Sequence, residues 1–184
     1  MRFSSIQTLK PNVTKEEAVR GFRSGVFSGV YWRLRSGPLQ RIAEAYVPFW
    51  VYRVRYEIGR ARKTRFFALD AVHGALDLFE FPRVPADEEL VTIQTRNQLT
   101  ANLQPEAAED IVRTKVLRVL FQQGFFKMRA LKIEIERVPV ELHLPYWLAF
   151  YGDEKSAKCR VMDAVRRRIE GAKASSFFEG WLAA

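Results

Sequence analysis

Two aspartates stand in the same local setting at two places in the chain, Asp70-Ala71-Val72 and Asp163-Ala164-Val165. Each follows a Pro-aromatic-Trp segment, Pro48-Phe49-Trp50 and Pro145-Tyr146-Trp147; Trp50 lies 20 residues before Asp70 and Trp147 lies 16 before Asp163. Two carboxylates brought side by side split their pKa values, the arrangement of a general acid–base pair. An enzyme using Asp70 and Asp163, with His73 beside the first, is therefore one reading. Turn chemistry gives the plainer one: an Asp at the corner ending a strand accepts backbone N–H bonds from the residues that follow it.

The other reactive residue types are sparse. His73 and His143 are the two histidines. They occupy non-equivalent positions and have no ligand-like spacing around them, so no metal site is expected. Cys159 is the one cysteine, which excludes a disulfide within the chain and a cysteine-based zinc site. It alternates in phase with Ala157 and Val161, as a small buried hydrophobe does, while Lys158 and Arg160 point to the other face. No Gly-rich phosphate loop and no Ser/His/Asp order is present, and no cofactor is expected.

Charge is more plentiful. Lys and Arg number 30 against 21 Asp and Glu, a formal net charge of +9 that favours nucleic acid, anionic lipid or an acidic protein partner. Arg53, Arg55, Arg60, Arg62, Lys63 and Arg65 fall on one expected hairpin, and Arg166, Arg167 and Arg168 follow the second Asp-Ala-Val. These are the candidate anion-binding residues; with exposed aromatics they would make a single-strand-binding platform. Trp50 and Trp147, however, alternate onto the apolar face, away from Arg53 and Arg55. No RNA-recognition aromatic motif, KH-type loop or helix-turn-helix pattern accompanies them.

The elements that must position these residues come in a repeating order. Thr14-Lys15-Glu16-Glu17 has the form of a capping box and starts a helix with Ala18, Val19, Phe22 and Val26 on one face. A strand at Val30–Arg35 follows, then a turn at Ser36-Gly37-Pro38. The Pro-Phe-Trp segment begins a long strand. Its apolar face carries Trp50, Tyr52, Val54, Tyr56 and Ile58; its wet face carries Val51, Arg53, Arg55 and Glu57. Thr64 to Val72 returns, apolar on both faces, and Ala75 to Phe81 adds a short strand. Pro82 to Glu89 reads as a seam, and residues 90–104 are ambiguous between strand and loop. Pro105 then opens a helix over Glu106 to Gln123, with Ala108, Val112, Val116 and Val119/Leu120 as its buried stripe. Phe125-Phe126 starts a strand that continues to Glu136, Pro139 breaks it, and Val140 to Tyr151 is the next. A turn at Gly152 to Ser156, a returning strand over Ala157 to Val165 and a C-terminal helix from Ser175 to Leu182 complete the chain.

A helix followed by an antiparallel meander resembles the unit of cystatin-like and PepSY-like domains. The corner Asp70-Ala71-Val72-His73-Gly74 resembles the Asp-Ala-x-x-Gly hairpin of PepSY-type repeats; the second copy has Arg167 where the glycine falls. The resemblance implies a binding or inhibitory scaffold, not an enzyme, and carries over no functional residue. The expected fold is α+β: two tandem, pseudo-symmetric α-β-β-β units, cystatin-like, at 1–85 and 86–184. The expected function is a non-enzymatic binding or interaction module. A nucleic-acid-associated protein using the basic hairpin is the alternative, and the paired-aspartate enzyme stands third. A homodimer through the apolar strand over Thr64 to Leu69 is also expected. The N-terminus has no continuous apolar signal region and no apolar run reaches the roughly 20 residues of a membrane span, which together suggest a cytoplasmic protein.

Overall fold

A computed structural model describes residues 3–24, 37–58, 61–122, 132–152 and 158–183. The expected strand at Val30–Arg35, the segment at Phe125-Phe126 and Arg60 lie outside the described residues. The elements are β1 (Ser4–Leu9), α1 (Lys15–Ser24), β2 (Leu39–Ile58), β3 (Ala61–Asp70), β4 (Phe79–Phe81), a 3-10 turn (Asp87–Glu89), β5 (Leu90–Thr95), α2 (Pro105–Gln122), β6 (Lys132–Tyr151), β7 (Lys158–Asp163), β8 (Arg168–Ile169) and α3 (Ala172–Ala183). The fold is mixed α+β. None of the described helices is long and apolar enough to cross a membrane.

The chain divides into two compact units. One comprises Met1–Val47, Leu90–Leu99 and His143–Ala184; the other comprises Pro48–Glu89 and Thr100–Leu142. The division falls inside β2 and β6, so each of these strands contributes one part to each unit.

In the second unit β4, β3, β2 and β6 are neighbours in that order. The β2–β3 hairpin runs in register from Phe49↔Asp70 to Ile58↔Ala61. Alternation settles its faces. Trp50, Tyr52, Val54 and Tyr56 join Phe67 and Leu69 in a core with Ala108, Val112, Val116 and Leu120 of α2. These are the residues of the expected helix stripe, and burying each large aliphatic among them contributes about 1.5–3 kcal/mol.

In the first unit β6 is bonded to β1 and β7, β1 to β5, and β7 to β8. Val13, Ala18 and Phe22, on and just before α1, pack with Ala149 and Tyr151 of β6 and Met162 of β7. The capping box forms: Thr14 N–H donates to Glu17 Oε2 at 2.8 Å and Glu17 N–H donates to Thr14 Oγ1 at 3.2 Å. Phe178 of α3 is fully buried, its ring 5.4 Å from that of Tyr146.

Each unit therefore joins a helix from one half of the sequence to the principal hairpin of the other, and the first unit also holds α3, from the same half as β6–β7. α1 lies with β6–β7, and α2 lies with β2–β3. The compact units do not follow a seam at residue 85.

Several elements differ from expectation. β6 runs unbroken from Lys132 to Tyr151, through Pro139. Proline has no N–H to give, but among the described residues β6 gains a partner other than β2 only from His143 onward, so at Pro139 one side of the strand has no described ladder and a missing N–H there is tolerated. β2 begins at Leu39, before the Pro-aromatic-Trp segment, and the strand after His73 is confined to Phe79–Phe81. The ambiguous stretch becomes β5.

Candidate functional site

Pro48 and Pro145 sit where a long strand changes neighbours. Tyr46 bridges Gln98, and three residues on Phe49 pairs Asp70. His143 pairs Thr8, and three residues on Tyr146 pairs Asp163. The carbonyl of each proline accepts the N–H of the alanine after each aspartate: Ala71 to Pro48 at 2.8 Å and Ala164 to Pro145 at 3.1 Å. Each alanine carbonyl in turn accepts an N–H just ahead of a helix, from Asn102 at 2.9 Å and from Asn12 at 2.8 Å. The Pro-aromatic-Trp and Asp-Ala-Val segments thus form one corner, made twice.

The aspartates serve these corners. Asp70 is fully buried; its Oδ1 accepts the N–H groups of His73 and Gly74 at 3.0 and 2.9 Å, and its Oδ2 accepts that of Leu76 at 2.8 Å. Asp163 Oδ1 accepts the N–H groups of Val165 and Arg166, both at 2.8 Å. Its Oδ2 is buried with no hydrogen bond, and Arg166 Nε stands 3.8 Å away. Burial raises the Asp163 carboxyl above its ordinary range, outweighing the N–H bond and charge of Arg166. Gly74 has φ 63° and Arg167 has φ 56°, so the second corner keeps the left-handed turn without the glycine.

The basic residues of the hairpin face glutamates across the strands. Arg53 Nη1 is 3.1 Å from Glu136, Arg55 is 3.3 Å from Glu136 and 3.8 Å from Glu134, Arg62 is 2.8 Å from Glu57, and Arg65 is 3.3 Å from Glu80. Lys63 is exposed. At the second corner Arg168 pairs with Glu170 at 2.9 Å and Arg167 approaches Glu17 at 4.0 Å. Mixed charge, not a uniform cationic surface, surrounds these candidates.

His73 is exposed beside Asp70, and His143 Nδ1 lies 3.1 Å from the Gln7 carbonyl. Among the described residues no three His, Cys, Asp or Glu side chains gather as a metal site would need. Cys159 is buried; burial, then the charge of Glu179, push its thiol up to about 12. Trp50 and Trp147 lie on core faces. Trp50 belongs to the α2 cluster under the guanidinium of Arg137, and Trp147 Nε1 donates to the Val13 carbonyl at 3.0 Å. Phe67, Ala68 and Leu69, whose two apolar faces suggested a dimer, are buried within the single chain.

One feature escaped the sequence reading. β5 pairs with β1 from Ser4↔Thr95 to Leu9↔Leu90 and ends the strand order, so among the described residues its other edge carries no strand. Val91 and Ile93 are half-buried, Thr92 and Gln94 exposed, and the strand contains neither proline nor charge. The Val-Thr-Ile run was its one signal, blurred by Asn97 and Asn102.

Compared with known proteins, the chain matches no family model, no curated protein and no solved structure.

Proposed function

We propose that the chain is a non-enzymatic binding module, a duplicated cystatin-like helix-on-sheet scaffold that takes an extended peptide along β5. The observation that carries this reading is the open edge of β5. Among the described residues, every second residue of this six-residue strand turns its backbone N–H and C=O to an edge that carries no strand, without the lysines or prolines that usually blunt an edge. An added strand gains main-chain hydrogen bonds, and half-buried Val91 and Ile93 offer apolar contacts to its alternate side chains. Duplication is supported by the two matching corners. A non-enzymatic role is supported by carboxylates spent on turn N–H groups.

A random-peptide display library selected on the protein tests the reading. Consecutive N–H groups of a strand point to opposite edges, so one of Thr92→Pro and Ile93→Pro removes an outward N–H from β5 and the other an N–H that faces β1. Enriched peptides should lose binding to the first of these, with its fold retained by circular dichroism. Binding indifferent to both substitutions would sink it. The nucleic-acid alternative predicts instead a saturable single-stranded oligonucleotide complex with a steep salt slope, lost in Arg53→Glu/Arg55→Glu. The cross-strand ion pairs argue for weak, non-saturating binding.

A further inference from the structure

We infer that the chain exchanges halves with a second copy of itself, forming a dimer in which each compact unit joins the helix of one molecule to the hairpin of the other. The inference rests on the interleaved units and is independent of what β5 binds. α1 and the β2–β3 hairpin come from the first half of the sequence, α2 and β6–β7 from the second, and each unit needs one of each. A single connection, Pro82 to Glu89, joins the halves before β5. Every contact that the first half makes with the second is available from the second half of another copy. The closed and exchanged forms thus differ in connection geometry and in the entropy of association, the usual conditions for swapping.

The connection is held by bonds at the surface. Glu89 Oε2 accepts from Arg83 Nη1 at 2.7 Å and from Ala86 N–H at 2.8 Å, and Glu89 N–H donates to the Ala86 carbonyl at 2.9 Å. The Arg83 and Glu89 side chains are 57% and 46% exposed, so this pair contributes little to holding the turn closed. Pro82 and Pro85 stiffen the segment on one side of that turn, which favours an extended connection once the turn opens.

The β1–β5 register supplies a direct test in the full chain. Gln7 and Thr92 are exposed cross-strand partners, one in each half. A Gln7→Cys variant and a Thr92→Cys variant are unfolded together in denaturant, refolded together at high concentration and oxidised. Buried Cys159, with its raised thiol pKa, stays out of the reaction. The expected product is a disulfide between position 7 of one variant and position 92 of the other, at twice the 21.4 kDa chain mass and identified by peptide mapping. The double variant Gln7→Cys/Thr92→Cys, refolded dilute, confirms that the bond closes within one molecule. Closure in the double variant without the mixed 7–92 product overturns the inference, as does dimer linked only 7 to 7 or 92 to 92. Ser5→Cys with Gln94→Cys provides a second register pair should the first variants fail to fold.

Discussion

At the scale of single residues, the two aspartates occupy one type of corner under different electrostatic terms. Both oxygens of Asp70 accept N–H bonds, whereas one oxygen of Asp163 is buried without any. Asp70→Asn turns an amide donor towards a backbone donor and is expected to cost about 1–3 kcal/mol in urea unfolding. Asp163→Asn keeps the acceptor for Val165 and Arg166 and removes a buried charge, so its expected effect is within about 1 kcal/mol. Asp163 also carries a pH dependence. Because the folded state raises the Asp163 pKa, this group contributes stability below the ordinary carboxylate range and loses it as pH rises through the raised value. Asp163→Asn should flatten that part of the stability–pH curve; an unchanged slope would contradict the assignment. Arg167, with φ 56°, holds a conformation that costs a side-chain-bearing residue roughly 1–2 kcal/mol. Arg167→Gly should raise stability by about 0.5–1 kcal/mol, after the greater freedom of glycine in the unfolded chain is counted.

At the scale of elements, helix and corner fit each other through a small residue placed on opposite partners. In the second unit the small residue is in the corner: a Cβ on Gly74 would stand 2.9 Å from Ile111 Cδ1 of α2. In the first unit it is on the helix: Gly21 stands seven residues after Thr14, as Ile111 stands seven after Gln104, and a Cβ there would meet Met162 Cε at 2.7 Å. Methionine's flexible tip can yield, so Gly21→Ala should recover helix propensity of about 1 kcal/mol with little loss in packing. Gly74→Ala meets a packed isoleucine at positive φ and should destabilise by about 1–3 kcal/mol, part of it restored by Ile111→Ala. Thermal melts of Gly21→Ala, Gly74→Ala, Ile111→Ala and the double variant Gly74→Ala/Ile111→Ala decide both points. Much at this scale was legible in the sequence. The stripe of α2, the capping box of α1 and the apolar face of β2 from Trp50 to Tyr56 follow from period and cap chemistry alone, but Val51, expected on the wet face, is fully buried. The full lengths of β2 and β6 were not, because a proline reads as a strand break unless it is known which side of the strand lacks a partner. β5 was obscured by the asparagines around its end, and the ion pairs that neutralise the basic hairpin join residues far apart in sequence. Arg53 and Glu136 lie 83 positions apart.

At the scale of the whole molecule, local periodicity left the pairing of halves open. A helix stripe records that a sheet must lie against it, but not which of two similar sheets. The observed choice, α1 with β6–β7 and α2 with β2–β3, makes each half a set of elements whose apolar faces wait for the other. The first half alone would expose the Trp50–Tyr56 face that α2 covers, and Phe22 would lose Tyr151 and Met162. Cutting the chain between Ala86 and Asp87 by an inserted protease site should therefore leave the fragments associated. The nicked protein should elute at the volume of the intact chain, keep its near-ultraviolet dichroism and separate only in denaturant. A chain truncated after Glu89 should show no cooperative unfolding transition as a monomer. A first half that folds alone with native aromatic dichroism would show that its helix can cover its own hairpin, and the interleaving would then be a preference between two closures rather than a requirement of either half.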